Sequence, residues 1–238
     1  MWCVIPVAGR ATRLTEFTRQ RPKALLRLGA STVIERLLER LAPAVSDVCL
    51  VVDDPNSQIR DLLGNVSNEM GLHYVVQPEP LGVAHAVRLA RSLVDGDFAV
   101  LMGDSYYETS LAPYIQQWTK PRLAGAVLVE PAVGPAGESM GLVRVRGKRV
   151  VEIFKAPFKG QAEWRVCGLT VLPQSAFDVP LGASAPGSGE YEIEDWIMLL
   201  IRQGLEFLAI GYAGWRRNIN TPADLRAVKQ RLSRTAAD

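Results

Sequence analysis

An apolar run from Trp2 to Val7 breaks into Ala8 and Gly9, with Thr12 and Arg13 just beyond and Pro22 and Lys23 before the next apolar pair. Such a strand ending in a small-residue loop leaves room for a planar base and ribose against the backbone amides. Arg13 offers a planar fork for phosphate oxygens and Lys23 a mobile point charge. Asp104 follows the apolar run FAVLM through Gly103, and Asn218 and Asn220 lie in RRNINTPADL. One carboxylate with an amide oxygen and substrate phosphates is an adequate set for Mg2+. Gln77 ends HYVV and precedes PEPLGVAHAV, where Gly82 permits close approach. Its amide both donates and accepts, which suits the imide edge of uracil or thymine. His73 and His85 read as packing or capping residues. Together these side chains could hold a nucleoside triphosphate from base to phosphates.

Positioning them requires a sheet. WCVIPV, VIERLLERL, VCLVVDD, SQIRDLLGNV, HYVVQ, AHAVRLARSLV and FAVLMGD alternate strand-like and helical patterns, and parallel neighbours need such crossover connections. Ser31 or Thr32 serves as N-cap, Glu35 completing a capping box after Thr32, before the stripe Val33, Ile34, Leu37, Leu38 and Leu41, with Pro43 helping to end that helix. From about Ala124 strands joined by turns take over, a helix follows near Ile193 to Gln203, and Thr221 with Pro222 opens a terminal helix. The expected architecture is α/β: a single Rossmann-like domain over 1–238 with a mixed, mostly parallel central sheet, helices on both faces and an inserted β-rich part. Residues 1–123 would form the nucleotide-binding half and 124–238 a second half that carries the β-rich part and the C-terminal helix. Because open parallel sheets bind ligands at the carboxyl ends of their strands, Gly9, Gln77 and Asp104 should converge on one crevice.

Composition narrows the class. The 238 residues are 48% hydrophobic and 22% charged, with a net charge of +2 and no basic block, which argues against a nucleic-acid partner. Three widely separated cysteines fit reduced buried thiols. With no stretch approaching the ~18 apolar residues of a membrane span and no basic leader, a cytoplasmic enzyme without a membrane partner is expected. A homo-oligomer is compatible with the sequence.

Taken in order, VAGRATRL with Pro22 and Lys23, QPEPLGVAHAV, LMGD, GEYEIED and WRRNINTPADL resemble the motifs of the sugar-1-phosphate nucleotidyltransferases, particularly the uridylyl- and thymidylyltransferases. The resemblance implies that Ala8, Gly9, Gln77 and Gly82 hold base and ribose, that Arg13 and Lys23 hold phosphates, and that Asp104 holds the metal with Asn218 or Asn220. It makes 124–238 the sugar-binding half and places the sugar region at Gly141, Lys155, Gly168 and Glu192. The implied reaction joins UTP or dTTP to a sugar 1-phosphate, by default glucose 1-phosphate, with release of pyrophosphate. Three positions depart from the pattern: Ala11 replaces a glycine, Lys155-Ala156-Pro157 lacks the glutamate of Glu-Lys-Pro, and an asparagine replaces the second metal carboxylate. These departures leave two alternatives, a catalytically degenerate nucleotide or nucleotide-sugar sensor and a glycosyltransferase on a related sheet. Against the latter, Asp104 is followed by Ser105 and Tyr106 rather than by an Asp-x-Asp pattern.

Overall fold

The computed structural model describes residues 1–9, 22–54, 57–118, 123–133, 139–157, 164–184 and 189–235. In chain order the first half contains β1 (Trp2–Pro6), β2 (Arg27–Leu28), β3 (Ser31–Thr32), α1 (Val33–Leu41), β4 (Asp47–Val52), α2 (Gln58–Leu63), β5 (Val66–Ser67), β6 (Met70–Val76) and α3 (Val83–Leu89). Then come β7 (Phe98–Leu101), β8 (Ser105–Tyr107), α4 (Ala112–Trp118), β9 (Gly125–Pro131), β10 (Ser139–Arg146), β11 (Arg149–Pro157) and β12 (Trp164–Leu172). α5 (Ile193–Arg202), β13 (Phe207–Gly211), β14 (Arg216–Asn218) and α6 (Pro222–Thr235) complete the described chain.

Ten strands form one sheet in the order β10-β11-β13-β9-β12-β7-β1-β4-β6-β5. The block β7-β1-β4-β6 is parallel, as crossovers through α1 and α3 require. β12 lies antiparallel to β7 on one side and to β9 on the other, and also pairs with β10. The sheet is therefore mixed, with parallel pairing concentrated in the first half and antiparallel pairing in the β-rich insertion.

Alternation along the central strands divides the core between the two faces. Cys3 and Ile5 of β1, Leu50 of β4 and Leu101 of β7 pack with α1, while Val4, Cys49, Val51 and Phe98 pack with α3 and α5. Each strand is buried on both sides, which is why its sequence reads as a continuous apolar run. α1 begins as expected: Thr32 N donates to Glu35 Oε2 at 2.6 Å and Glu35 N to Thr32 Oγ1 at 3.4 Å. α5 buries Ile193, Trp196, Ile197 and Leu200, spaced i, i+3, i+4 and i+7. All three cysteines are free and buried, and desolvation pushes the Cys49 thiol up to about 12. No helix among the described residues is long and apolar enough to cross a membrane.

Candidate active site

β1, β6 and β7 end on the same edge of the parallel block, so Gly9, Gln77 and Asp104 follow strand ends facing one side of the sheet. Gly103 brings Asp104 in closely: a Cβ there would lie 2.5 Å from Pro6 O and 2.7 Å from Val7 Cγ1. Only the absence of a side chain lets the turn after β7 lie against the end of β1. Ala8 is half-buried and Gly9 exposed, with nothing within 4 Å of the position its Cβ would take. Arg13 lies outside the described residues.

A short ribbon supplies the other wall. β8 and β14 pair antiparallel with Ser105 opposite Asn218, and Ile219 N donates to Asp104 O at 2.8 Å. Lys23, in a 3-10 turn, points into the angle between them. Its ammonium lies 3.1 Å from Asp104 Oδ2 and 2.5 Å from Asn220 Oδ1. A carboxylate oxygen and an amide oxygen from segments 116 residues apart thus face the same positive charge.

The two asparagines have different roles in this geometry. Asn218 Oδ1 accepts from Ser105 Oγ at 2.8 Å and from the Arg216 guanidinium. With two donors on its carbonyl oxygen, Asn218 is poorly disposed to ligate a cation, whereas the Asn220 oxygen already faces one. Arg216 is itself deeply buried; its Nη1 donates to Glu130 Oε1 at 2.7 Å, and Glu130 also takes Arg165 Nε at 2.8 Å. Burial alone would favour loss of its proton, but the Glu130 carboxylate bonded to it holds the guanidinium charged.

On the other side, a partly open cavity of about 120 Å³ runs from Asp104 and Asn218 to Gly168, Ile193 and Glu194. Gly168 sits where the β12–β9 register shifts, and Gly141 stands opposite Lys155 across the β10–β11 pair. Lys155 Nζ lies 2.5 Å from Glu192 Oε1. Burial opposes the Lys155 charge, yet Glu192, with Glu194 and Asp195 behind it, holds the ammonium above the usual lysine value. Burial pushes the Glu194 carboxyl up, and the neighbouring Glu192 and Asp195 push the same way. A Cβ on Gly141 would lie 3.6 Å from Glu194 Oε1, so Glu194 and not only Glu192 belongs to this end. The motif GEYEIED contains both acids; their helical phase, with Glu192 as N-cap of α5 and Glu194 inside its first turn, separates them.

The Gln77 end of the crevice is braced by backbone. Gly82 has φ of +94°, and a Cβ on it would lie 2.6 Å from both N and O of Tyr191. Tyr191 N donates to Leu81 O at 2.8 Å and Ala84 N to Tyr191 O at 2.9 Å, tying the loop before α3 to the segment before α5. Gln77 is buried, and its Nε2 lies 3.1 Å from Gly82 O and 3.0 Å from His85 Nδ1. His85, which the sequence indicates as a packing or capping residue, contacts a candidate base-binding side chain.

Asp104 and Asn220 present hard oxygens, and among the described residues no group of three His, Cys, Asp or Glu could hold a metal by itself. That donor set fits a cation such as magnesium, which completes its shell with water and phosphate oxygens.

Residues 3–232 match the nucleotidyl transferase family, and the chain belongs to it. It is thus a nucleotidyltransferase, an enzyme, as the ordered motifs led one to expect. The UTP–glucose-1-phosphate uridylyltransferase AglF of Haloferax volcanii is 25% identical over 236 residues, covering 98% of this chain and 96% of its own. A glucose-1-phosphate thymidylyltransferase of Streptomyces antibioticus is 25% identical over 234 residues; the match covers 97% of this chain and 65% of that relative. A crystal structure of UDP-glucose pyrophosphorylase complexed with UDP-glucose superposes with a TM-score of 0.85 at 18% identity, covering 98% of both chains. The last likeness establishes the α/β fold.

Proposed function

We propose that the protein transfers a uridylyl or thymidylyl group from UTP or dTTP to a sugar 1-phosphate, with glucose 1-phosphate the leading acceptor. A phosphate oxygen of the acceptor attacks the α-phosphorus, the bond from that phosphorus to the α–β bridging oxygen breaks, and pyrophosphate leaves. The acceptor phosphate is already ionised near neutral pH, so the site needs no strong base; its work is in-line positioning and charge stabilisation.

The observation that carries this reading is the convergence of Lys23, Asp104 and Asn220 at the carboxyl edge of the parallel block. Asp104 and Asn220 would hold magnesium, which when bound screens the phosphate charge. Lys23 and Arg13 stabilise the charge that develops on the transferring group and on the departing pyrophosphate. Ala8, Gly9, Gln77 and Gly82 seat base and ribose. Gly141, Lys155, Gly168 and Glu192 receive the sugar, with Asn218 turning its amide nitrogen toward the phosphate. In this reading 1–123 serves the nucleotide and 124–238 the sugar.

The test is pyrophosphate release measured for five nucleoside triphosphates against several sugar phosphates with magnesium present. UTP or dTTP with glucose 1-phosphate should give the highest kcat/KM. Lys23→Ala should lower kcat by about 10²–10³ while leaving the thermal midpoint within a few degrees. Near-normal turnover in that variant would remove Lys23 from the chemistry, and silence of the whole matrix would overturn the assignment.

A further inference from the structure

The sequence offers Gln77 to the base as a group that can both donate and accept. In the folded protein its two halves are not equally available. Gly82 O can only accept, so the Gln77 atom 3.1 Å from it is the amide nitrogen. The second proton of that nitrogen points to His85 Nδ1 at 3.0 Å, which must then carry a lone pair, leaving the imidazole proton on Nε2. Both amide protons are consumed, and no hydrogen bond reaches Gln77 Oε1 from the described residues.

From this geometry we infer that His85 is a positioning residue that fixes the Gln77 amide with its oxygen toward the base, making the pocket select uracil or thymine over cytosine. The inference rests on the reading that the base lies at Gln77. N3 of uracil and thymine carries a proton that Gln77 Oε1 accepts. N3 of cytosine carries a lone pair, which would face the carbonyl oxygen and leave the bond unmade. Turning the amide over to suit cytosine would place its oxygen against Gly82 O and against the lone pair of His85 Nδ1. Neither neighbour is free to adjust. Gly82 is held by the Tyr191 strap, where even a Cβ would not fit, and His85 is in the first turn of α3.

Two substitutions separate orientation from mere packing. His85→Asp leaves an acceptor facing the Gln77 nitrogen and suits the first turn of a helix. His85→Lys offers only donors and would draw the Gln77 oxygen inward, presenting its nitrogen to the base. The readout is the ratio of the UTP and CTP dissociation constants, measured by calorimetry with magnesium and without acceptor. A charge near the triphosphate changes both affinities alike and cancels in the ratio. Wild type should favour UTP, Asp should keep that preference within about threefold, and Lys should reduce it about tenfold or more, the worth of one buried hydrogen bond. His85→Leu, which removes the acceptor without adding charge, should give an intermediate loss and serves if Lys does not fold. Unchanged discrimination in both Lys and Leu would overturn the role of His85 while leaving the base site at Gln77 standing. A wild type indifferent to UTP and CTP would overturn both.

Discussion

Lys23 holds in place two oxygens that would repel each other without a cation between them. Its side chain is only 15% exposed, so the ammonium is effectively a counterion kept within the site. A carboxylate on the opposite wall behaves differently. Glu194 faces the cavity beside Asp104 and Gly168 with its carboxyl raised chiefly by burial, and the negative neighbours Glu192 and Asp195 add to the effect. An acid whose pKa is raised by folding binds more protons in the native than in the unfolded state, over the window from the ordinary glutamate value up to the raised one. Stability must fall as pH rises through that window. Glu194→Gln cannot ionise and removes this loss. In urea melts between about pH 4 and about pH 8, the variant should gain on the wild type as pH rises, and parallel profiles would show that Glu194 titrates normally.

At the scale of elements, the start of α6 is what aims Asn220. Asp224 accepts from Asn220 N at 3.1 Å, from Thr221 N and Thr221 Oγ1 at 2.8 Å each, and from Arg217 Nε at 2.8 Å. Burial opposes its charge but is outweighed by these donors, so the carboxyl is held below its usual value. The sign is the reverse of that at Glu194: the stabilisation is complete above the unfolded aspartate value and lost as pH falls through the depressed native one. Asp224→Ala should cost about 1–2 kcal/mol at neutral pH, with the gap closing in acid. Because the same carboxylate orders the Asn220 backbone, the variant should also need more magnesium for half-maximal turnover. A stability loss with unchanged magnesium dependence would separate the cap from the metal site. That Thr221 opens α6 was legible in the sequence, as was the Thr32–Glu35 box, because each depends on local chemistry; the part played by Asp224 emerged only in the fold. The alternation through FAVLMGD was legible too, since continuous apolar runs mark strands buried on both faces. The β8–β14 ribbon was not: strands of three residues have no period to read, and their pairing joins segments more than 100 residues apart. The fates of Asn218 and Asn220 followed from that ribbon, and the contact of His85 with Gln77 depended on the Gly82–Tyr191 strap. Arg216, buried behind Asn218, resembled any surface cation in RRNIN until Glu130 was seen to face it.

Across the whole molecule, residues 1–123 and 124–238 share one sheet and both of its main cores. β12, from the second half, is hydrogen-bonded to β7 of the first, and Val4, Ala84 and Phe98 pack in the same cluster as Phe177, Trp196 and Ile197. The Tyr191 strap adds a second tie beside the site itself. Neither half can open without exposing apolar surface of the other, so the two should unfold together. Native-state hydrogen exchange tests this directly: the slowest amides of β4 and of β9 should report the same opening free energy and the same dependence on denaturant. UTP with magnesium at about a hundred times its dissociation constant should raise both by about 2.7 kcal/mol, although the base, ribose and triphosphate contacts proposed here lie mainly in the first half. If β9 and β12 exchanged through a cheaper opening that UTP left unchanged, the insertion would be an independent unit. The cavity between Asp104 and Glu194 would then be a contact between two bodies, in place of a site built into one.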